Sequence, residues 1–206
     1  MPLSRFSASL PALTLHVACL GAACCVSVGG MAVAWAKDAP EARTQQLVAA
    51  LQKQGASPDP ATEQTLDALF DFDRLSTDPI LPHRKALSPA QWKEFTGLFH
   101  DLIRSKALHA GTALNQGTLR IGPVQGDGKR RQVEVHVSDP AKDVDAHVTF
   151  TWEDTGAQWR VVDVELDGSS VVKDYENQFG RILKKDGPAG LITKMRTRLD
   201  ATRKKP

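Results

Sequence analysis

The spacing of apolar residues along the chain changes twice. Over the first half, apolar residues recur at intervals of three and four, as on amphipathic helices. From Leu119 to Asp167 they alternate with polar residues, as in strands with one wet face. From Val171 the helical spacing returns. In the strand region Leu119 and Ile121 mark a short first segment. Val133, Val135 and Val137 alternate with Glu134 and His136 in the second. Ala146, Val148, Phe150 and Trp152 alternate with His147, Thr149 and Thr151 in the third. In the fourth, Val162, Val164 and Leu166 alternate with Asp163, Glu165 and Asp167. Gly126-Asp127-Gly128, Asp139-Pro140 and Asp154-Thr155-Gly156 supply short turns, which predicts an antiparallel meander. Each strand has one apolar face and needs cover on that face only.

The helical regions supply the cover. Residues 41–54 place Leu47, Val48 and Leu51 on one side, and the Gly- and Pro-bearing stretch 55–60 reads as a linker that leaves this helix mobile against the body. A second helix begins near Thr62, with Leu66, Leu69 and Phe70 apolar. Pro79 and Pro82 exclude a long regular helix over 76–87. Ser88-Pro89-Ala90-Gln91 has the form of a capping box with proline at the first helical position, and Trp92, Phe95, Leu98, Phe99, Leu102, Ile103 and Leu108 follow as a wide stripe. After the last strand, Gly168 ends the extended run and Ser169 and Ser170 offer capping hydroxyls. A helix over 171–185 then carries Val171, Val172, Tyr175, Phe179, Ile182 and Leu183 on one face. Asp186-Gly187-Pro188 stops it, and a final helix carries Leu191, Ile192, Met195 and Leu199 opposite a basic face and tail. Helices, then strands, then helices predict an α+β fold: a curved antiparallel sheet of about four strands, covered on one face by helices.

The N-terminus changes how the composition is read. Hydrophobic content is 41% of 206 residues, but part of it lies in an uncharged run after Arg5 that ends in Ala34-Trp35-Ala36. That is the charged start, apolar centre and small-residue cut of a secretory signal, and it predicts a mature chain from Lys37. The domain reading is therefore a signal over 1–36, a helix and linker over 37–60, and the main domain over 61–206. A retained membrane anchor is the rival reading. Cys19, Cys24 and Cys25 all lie in this segment, so the mature chain has no disulfide, thiolate nucleophile or cysteine metal site. A cysteine-free exported domain fits a bacterial periplasm. With 25 basic against 24 acidic residues, the mature chain carries +1, which excludes a global nucleic-acid footprint.

No catalytic motif emerges. H-E-x-x-H, Gly-x-Ser-x-Gly, phosphate-binding and dinucleotide fingerprints are absent from the sequence. His136 and His147 could face each other across a hairpin near Glu134, but so few ligands converge that the pair reads as two solvated strand residues. Asp163, Glu165 and Asp167 read as a solvated carboxylate face. The basic C-terminus reads as a solvated helix face, with transient contact to anionic lipid or an acidic partner as its functional alternative.

Two blocks of residues carry a family resemblance. The first is Phe70-Asp71-Phe72-Asp73-Arg74 with Leu87-Ser88-Pro89-Ala90-Gln91-Trp92-Lys93-Glu94-Phe95 and Leu98-Phe99. The second is Trp159-Arg160-Val161-Val162-Asp163-Val164, Asp167-Gly168-Ser169-Ser170-Val171-Val172, Tyr175, Gln178-Phe179, and then Gly187 and Gly190-Leu191-Ile192. In these blocks the chain resembles the MlaC family of periplasmic phospholipid-binding proteins, also called toluene-tolerance or auxiliary ABC-transport proteins. It departs from the family pattern at Pro82-His83-Arg84-Lys85 and at Glu176.

The resemblance implies a non-enzymatic carrier without a cofactor, whose cargo is a phospholipid held by its acyl chains in an apolar cavity between sheet and helices. It also implies exchange with an outer-membrane lipoprotein complex and an inner-membrane ABC transporter, in the service of outer-membrane lipid asymmetry. The candidate cavity walls are Val148, Phe150, Trp152, Val162, Val164 and Leu166 on the sheet, facing Phe95, Phe99, Leu102, Val172, Tyr175 and Phe179 on the helices. By pattern alone these same residues are an ordinary filled core. Transfer of each acyl CH2 from water is worth ~0.8 kcal/mol, so two long chains supply ample gross affinity.

Overall fold

The computed structural model describes residues 39–53, 59–114 and 117–203. The predicted signal and most of the 55–60 linker lie outside the described residues. Five strands form one open antiparallel sheet in the order β1-β2-β3-β4-β5: β1 Thr118–Gln125, β2 Arg130–Asp139, β3 Val144–Asp154, β4 Trp159–Leu166 and β5 Ser169–Ser170. The helices are α1 Pro40–Lys53, α2 Pro60–Leu69, α3 Phe72–Thr77, α4 Pro89–Leu114 and α5 Val171–Arg203, with a 3-10 segment Asp78–Ala86 before α4. This is the α+β arrangement the spacing predicts, with β5 added as a two-residue return strand.

Helix starts follow local chemistry. Ser88 and Gln91 form the capping box: the Ser88 N–H donates to Gln91 Oε1 at 3.0 Å and the Gln91 N–H to Ser88 Oγ at 3.3 Å. Asp59 caps α2, accepting from the Ala61 and Thr62 N–H groups, so Asp59-Pro60 belongs to a helix start and not to the loop. α5 is two helices joined at Gly187, whose φ of 66° is open to glycine at little cost, and Pro188 restarts the second. Among the described residues, no helix is long and apolar enough to cross a membrane.

β4 departs from strict alternation. Trp152 pairs with Val161 and Thr151 with Asp163, so Val162 is the extra residue of a bulge. Trp159 and Val161 therefore reach the inner face before the bulge, and Val164 and Leu166 do so after it. The segment Phe70-Asp71 locks onto this region. Phe70 makes a parallel bridge to Val161, the Asp71 N–H donates to the Val161 carbonyl at 2.9 Å, and the Phe70 and Phe72 rings stack at 5.3 Å.

Two apolar clusters result. One joins the sheet to α1, α2 and α3 and includes Leu47, Leu66, Phe70, Phe72, Phe150, Trp152, Trp159 and Val161. The other joins α4, α5 and the 3-10 segment and includes Ile80, Phe95, Phe99, Phe179, Leu191 and Met195. α1 is part of the first cluster: Leu47 and Thr44 are fully buried, and the helix packs on β1, β2, α2 and α4. It is a core element, not the detached helix its flanking loop implies, because its apolar stripe closes one end of the sheet.

Ion pairs tie the layers together. Arg104 of α4 grips Asp67 of α2 with two bonds of 2.7 and 2.8 Å and reaches Glu63 at 3.1 Å. The bonds to Arg104 hold the Asp67 carboxyl below the usual aspartate range despite partial burial. Burial pulls Arg74 down, but its 2.6 Å bond to Glu153 and the nearby charges of Glu153, Asp78 and Asp71 outweigh that and raise it. The basic face of α5 is largely engaged within the chain: Arg196 pairs with Glu94, Arg203 with Asp101 and Lys194 with Asp186.

Candidate functional site

The site is built around the corner where β4 becomes α5. Asp167 and Gly168 have φ of 48° and 80° and close a two-residue hairpin between Leu166 and Ser169. Both left-handed conformations are what an Asp-Gly turn supplies. Ser170 then caps the helix, accepting from the Lys173 N–H at 3.1 Å. Its hydroxyl donates to Asp163 at 2.6 Å, and the other Asp163 oxygen accepts from the N–H groups of Val164 and Val172 at 2.8 and 3.2 Å. Asp163 is thus 8% exposed and holds strand and helix at a set angle.

Of the carboxylate face read as solvated, Asp163 is instead buried, Glu165 is half-buried and Asp167 is exposed as read, and all three accept hydrogen bonds within the fold. Glu165 accepts from Gln132 Nε2 at 3.2 Å, and Asp167 accepts from the His147 N–H at 2.9 Å. Alternation could not reveal this, since burial of Asp163 comes from the helix that folds back over it. The one sequence signal was Ser170, placed just beyond an Asp-Gly turn.

The inner face of the sheet is covered unevenly. Along β3 the inward positions run from Trp152 at 0% and Phe150 at 5% exposed, through half-buried Val148 and Ala146, to Val144 at 38%. On β4, Val164 is half-buried and Leu166, which pairs with Val148, is 52% exposed. Val172 of α5 and Ile103 of α4 are half-buried beside this stretch, and Ile103 packs against both clusters. Together these residues make an apolar strip, a seam whose cover falls from complete at Trp152 to open at Val144 and Leu166.

The helix side is different. Phe95, Phe99, Leu102 and Phe179 are fully buried, with Phe95–Phe179 and Phe99–Phe179 ring centroids 5.0 and 4.9 Å apart at near-perpendicular angles. Tyr175 stacks on Phe179 and accepts a hydrogen bond from Lys106 Nζ at 2.8 Å. The expected site residues therefore separate. Val148, Val164, Leu166 and Val172 border the seam, with Phe150 and Trp152 at its sealed end. Val162 is buried at the bulge, and Phe95, Phe99, Leu102, Tyr175 and Phe179 fill the second cluster. Ile103, Leu119 and Ile121, which the spacing placed on a helix stripe and a strand but not among the cavity walls, also pack against the first cluster. Elsewhere, a groove of about 730 Å³ lies between α1 and α2, lined mainly by small and polar residues.

Comparison with known proteins decides the family. Residues 41–197 match the family described as MlaC protein. The chain belongs to the MlaC family. Among solved structures, this MlaC-family chain is similar to a phospholipid-binding protein from Ralstonia solanacearum, determined in complex with a phospholipid at 1.53 Å. The TM-score is 0.61 at 19% identity, over 79% of this chain and 95% of that one. At that identity the likeness is one of fold.

Proposed function

We propose that the protein is a phospholipid carrier that works without covalent chemistry, binding acyl chains along the seam between β3, β4, α4 and α5. The observation that carries this reading is the tapering cover of the inner sheet face, from Trp152 to Val144 and Leu166. Soluble domains ordinarily bury such a face, and apolar surface left at an opening is what an acyl chain would cover. Membership of the MlaC family and the phospholipid in the Ralstonia structure support the same choice of cargo. The proposal extends to a periplasmic location and to exchange of lipid between an inner-membrane ABC transporter and an outer-membrane lipoprotein complex.

The test is solvent extraction of gently purified protein followed by mass spectrometry. Phospholipid in near-stoichiometric amount is expected, and its absence overturns the reading. Val164→Trp should abolish co-purifying lipid while circular dichroism stays native, since Val164 is only half-buried on the inner face. A filled core would instead lose ~1–3 kcal/mol to overpacking. A second reading, a ligand-free adaptor of a membrane complex, draws on the completely packed aromatic cluster of α4 and α5. It predicts no lipid in the extract and a destabilised Val164→Trp.

A further inference from the structure

The face of the sheet opposite the two apolar clusters carries a separate group of chemistry-bearing side chains. His136 of β2 and His147 of β3 are direct partners in the ladder, and their rings stack with centroids 4.8 Å apart. Asp145, two positions before His147 and so on the same face, reaches His136 Nε2 with its carboxylate. Glu134, two positions before His136, lies 3.2 Å from His147 Nδ1. Ligand atoms of His136, Asp145 and His147 all fall within 4.8 Å of one another. The sequence displayed the two histidines and Glu134. Asp145 joins them only through the register of the hairpin.

We propose that this face binds one divalent transition-metal ion of the zinc class, with His136, His147 and Asp145 as ligands and water completing the tetrahedron. Zinc takes imidazole nitrogen and carboxylate oxygen at ~2.0–2.2 Å in a tetrahedral arrangement, which sets neighbouring ligand atoms roughly 3.4 Å apart. The present spacing closes to that by rotation of side chains that are already solvent-accessible. Two neutral imidazoles select zinc, copper and nickel over calcium and magnesium, which take oxygen ligands. The Asp145 carboxylate, with Glu134 beside His147, balances the charge of the ion. The opposing charge is Arg120, which stands across from His136 on β1 and is exposed.

The ligands stand on a stiff support. The β2–β3 ladder runs without a bulge from Arg130↔Glu153 to Asp139↔Val144. The backbone of His147 is clamped a second time by Asp167, whose N–H donates to the His147 carbonyl at 2.9 Å and whose carboxylate accepts the His147 N–H at 2.9 Å. Ligands on paired strands keep their mutual geometry better than ligands on loops. Because the site lies on the far side of the sheet from the seam, metal and lipid occupy the protein independently.

The experiment is calorimetric titration of the tag-free protein with ZnCl2, with MgCl2 as the control cation. One Zn2+ per chain is expected, with a raised melting temperature and no response to Mg2+. His136→Ala and His147→Ala should each weaken binding by about tenfold or more, and the double variant should abolish it. Co2+ should give a visible absorption band that the double variant lacks. The ligands sit on the outer sheet face, so native circular dichroism is expected for every variant. Absence of Zn2+ binding to the wild type, or equal binding by the double variant, overturns the proposal. Extracted lipid should be the same with and without Zn2+, so failure of the metal site leaves the carrier test unaffected.

Discussion

The two apolar clusters use the same residue types and reach different ends. Between α4 and α5, aromatic rings meet edge to face and consume their own surface: Phe95, Phe99 and Phe179 have none left exposed. Between the sheet and its cover, packing is complete at Trp152 and fades towards Val144 and Leu166. The difference lies in the covering elements. α4 and α5 lie against each other with the 3-10 segment alongside, whereas α1, α2 and α3 pack on β1, β2 and β4, and the cover of the 11-residue β3 thins from Val148 to Val144. One cluster has used up its apolar surface; in the proposed function the other would take up the acyl chains.

The sharpest way to break this contrast is Phe99→Ala. Truncating a fully buried ring should cost about 3–5 kcal/mol in urea unfolding. A loss below about 1 kcal/mol would mean that the helix cluster is itself a loosely filled site. Next is Asp163→Ala, which leaves the Val172 N–H and the Ser170 hydroxyl without their partner at the corner joining both regions. A loss of about 1.5–3 kcal/mol is expected, with lipid content falling as the strand–helix angle relaxes. Val148→Ala removes half-buried surface from the seam and should cost about 1 kcal/mol in the same assay.

A smaller effect links α2 to α4. Asp67 titrates below its unfolded value, so its bond to Arg104 stabilises the fold above about pH 4 and is lost as pH falls through the lower folded value. Both side chains are partly exposed, so screening limits the effect to below about 1 kcal/mol. Asp67→Asn should therefore lower the urea midpoint at pH 7 and match the wild type at the acid end. Smallest of all for stability is Leu166→Ser, at 52% exposure: within about 0.5 kcal/mol of wild type. Its retained lipid should nonetheless fall, which would locate the mouth of the seam.

Much of this fold is legible residue by residue. The Ser88-Gln91 box, the Gly187-Pro188 break and the alternation of β2 and β3 depend on neighbours a few positions away, and all stand where the spacing puts them. The bulge at Val162 was not legible, because Trp159-Arg160-Val161-Val162 satisfies either face until its pairing with Trp152 is known. Asp163 misled for a related reason: a carboxylate on a wet-face position is solvated unless a distant segment returns to cover it. The site showed the same split. Its apolar residue types could be read from the pattern, but their division between a packed aromatic cluster and an open seam could not.

By itself, then, the sequence determined the elements, their caps and breaks, and the apolar face of each, because helix and strand periods and capping chemistry act over a handful of residues. Only the tertiary structure decided which apolar faces use each other up and which stay partly uncovered. It alone brought Asp145 to His136 and Ser170 to Asp163. Those outcomes depend on strand register and on how far each covering helix reaches, and no local pattern encodes the length of a cover relative to the sheet beneath it.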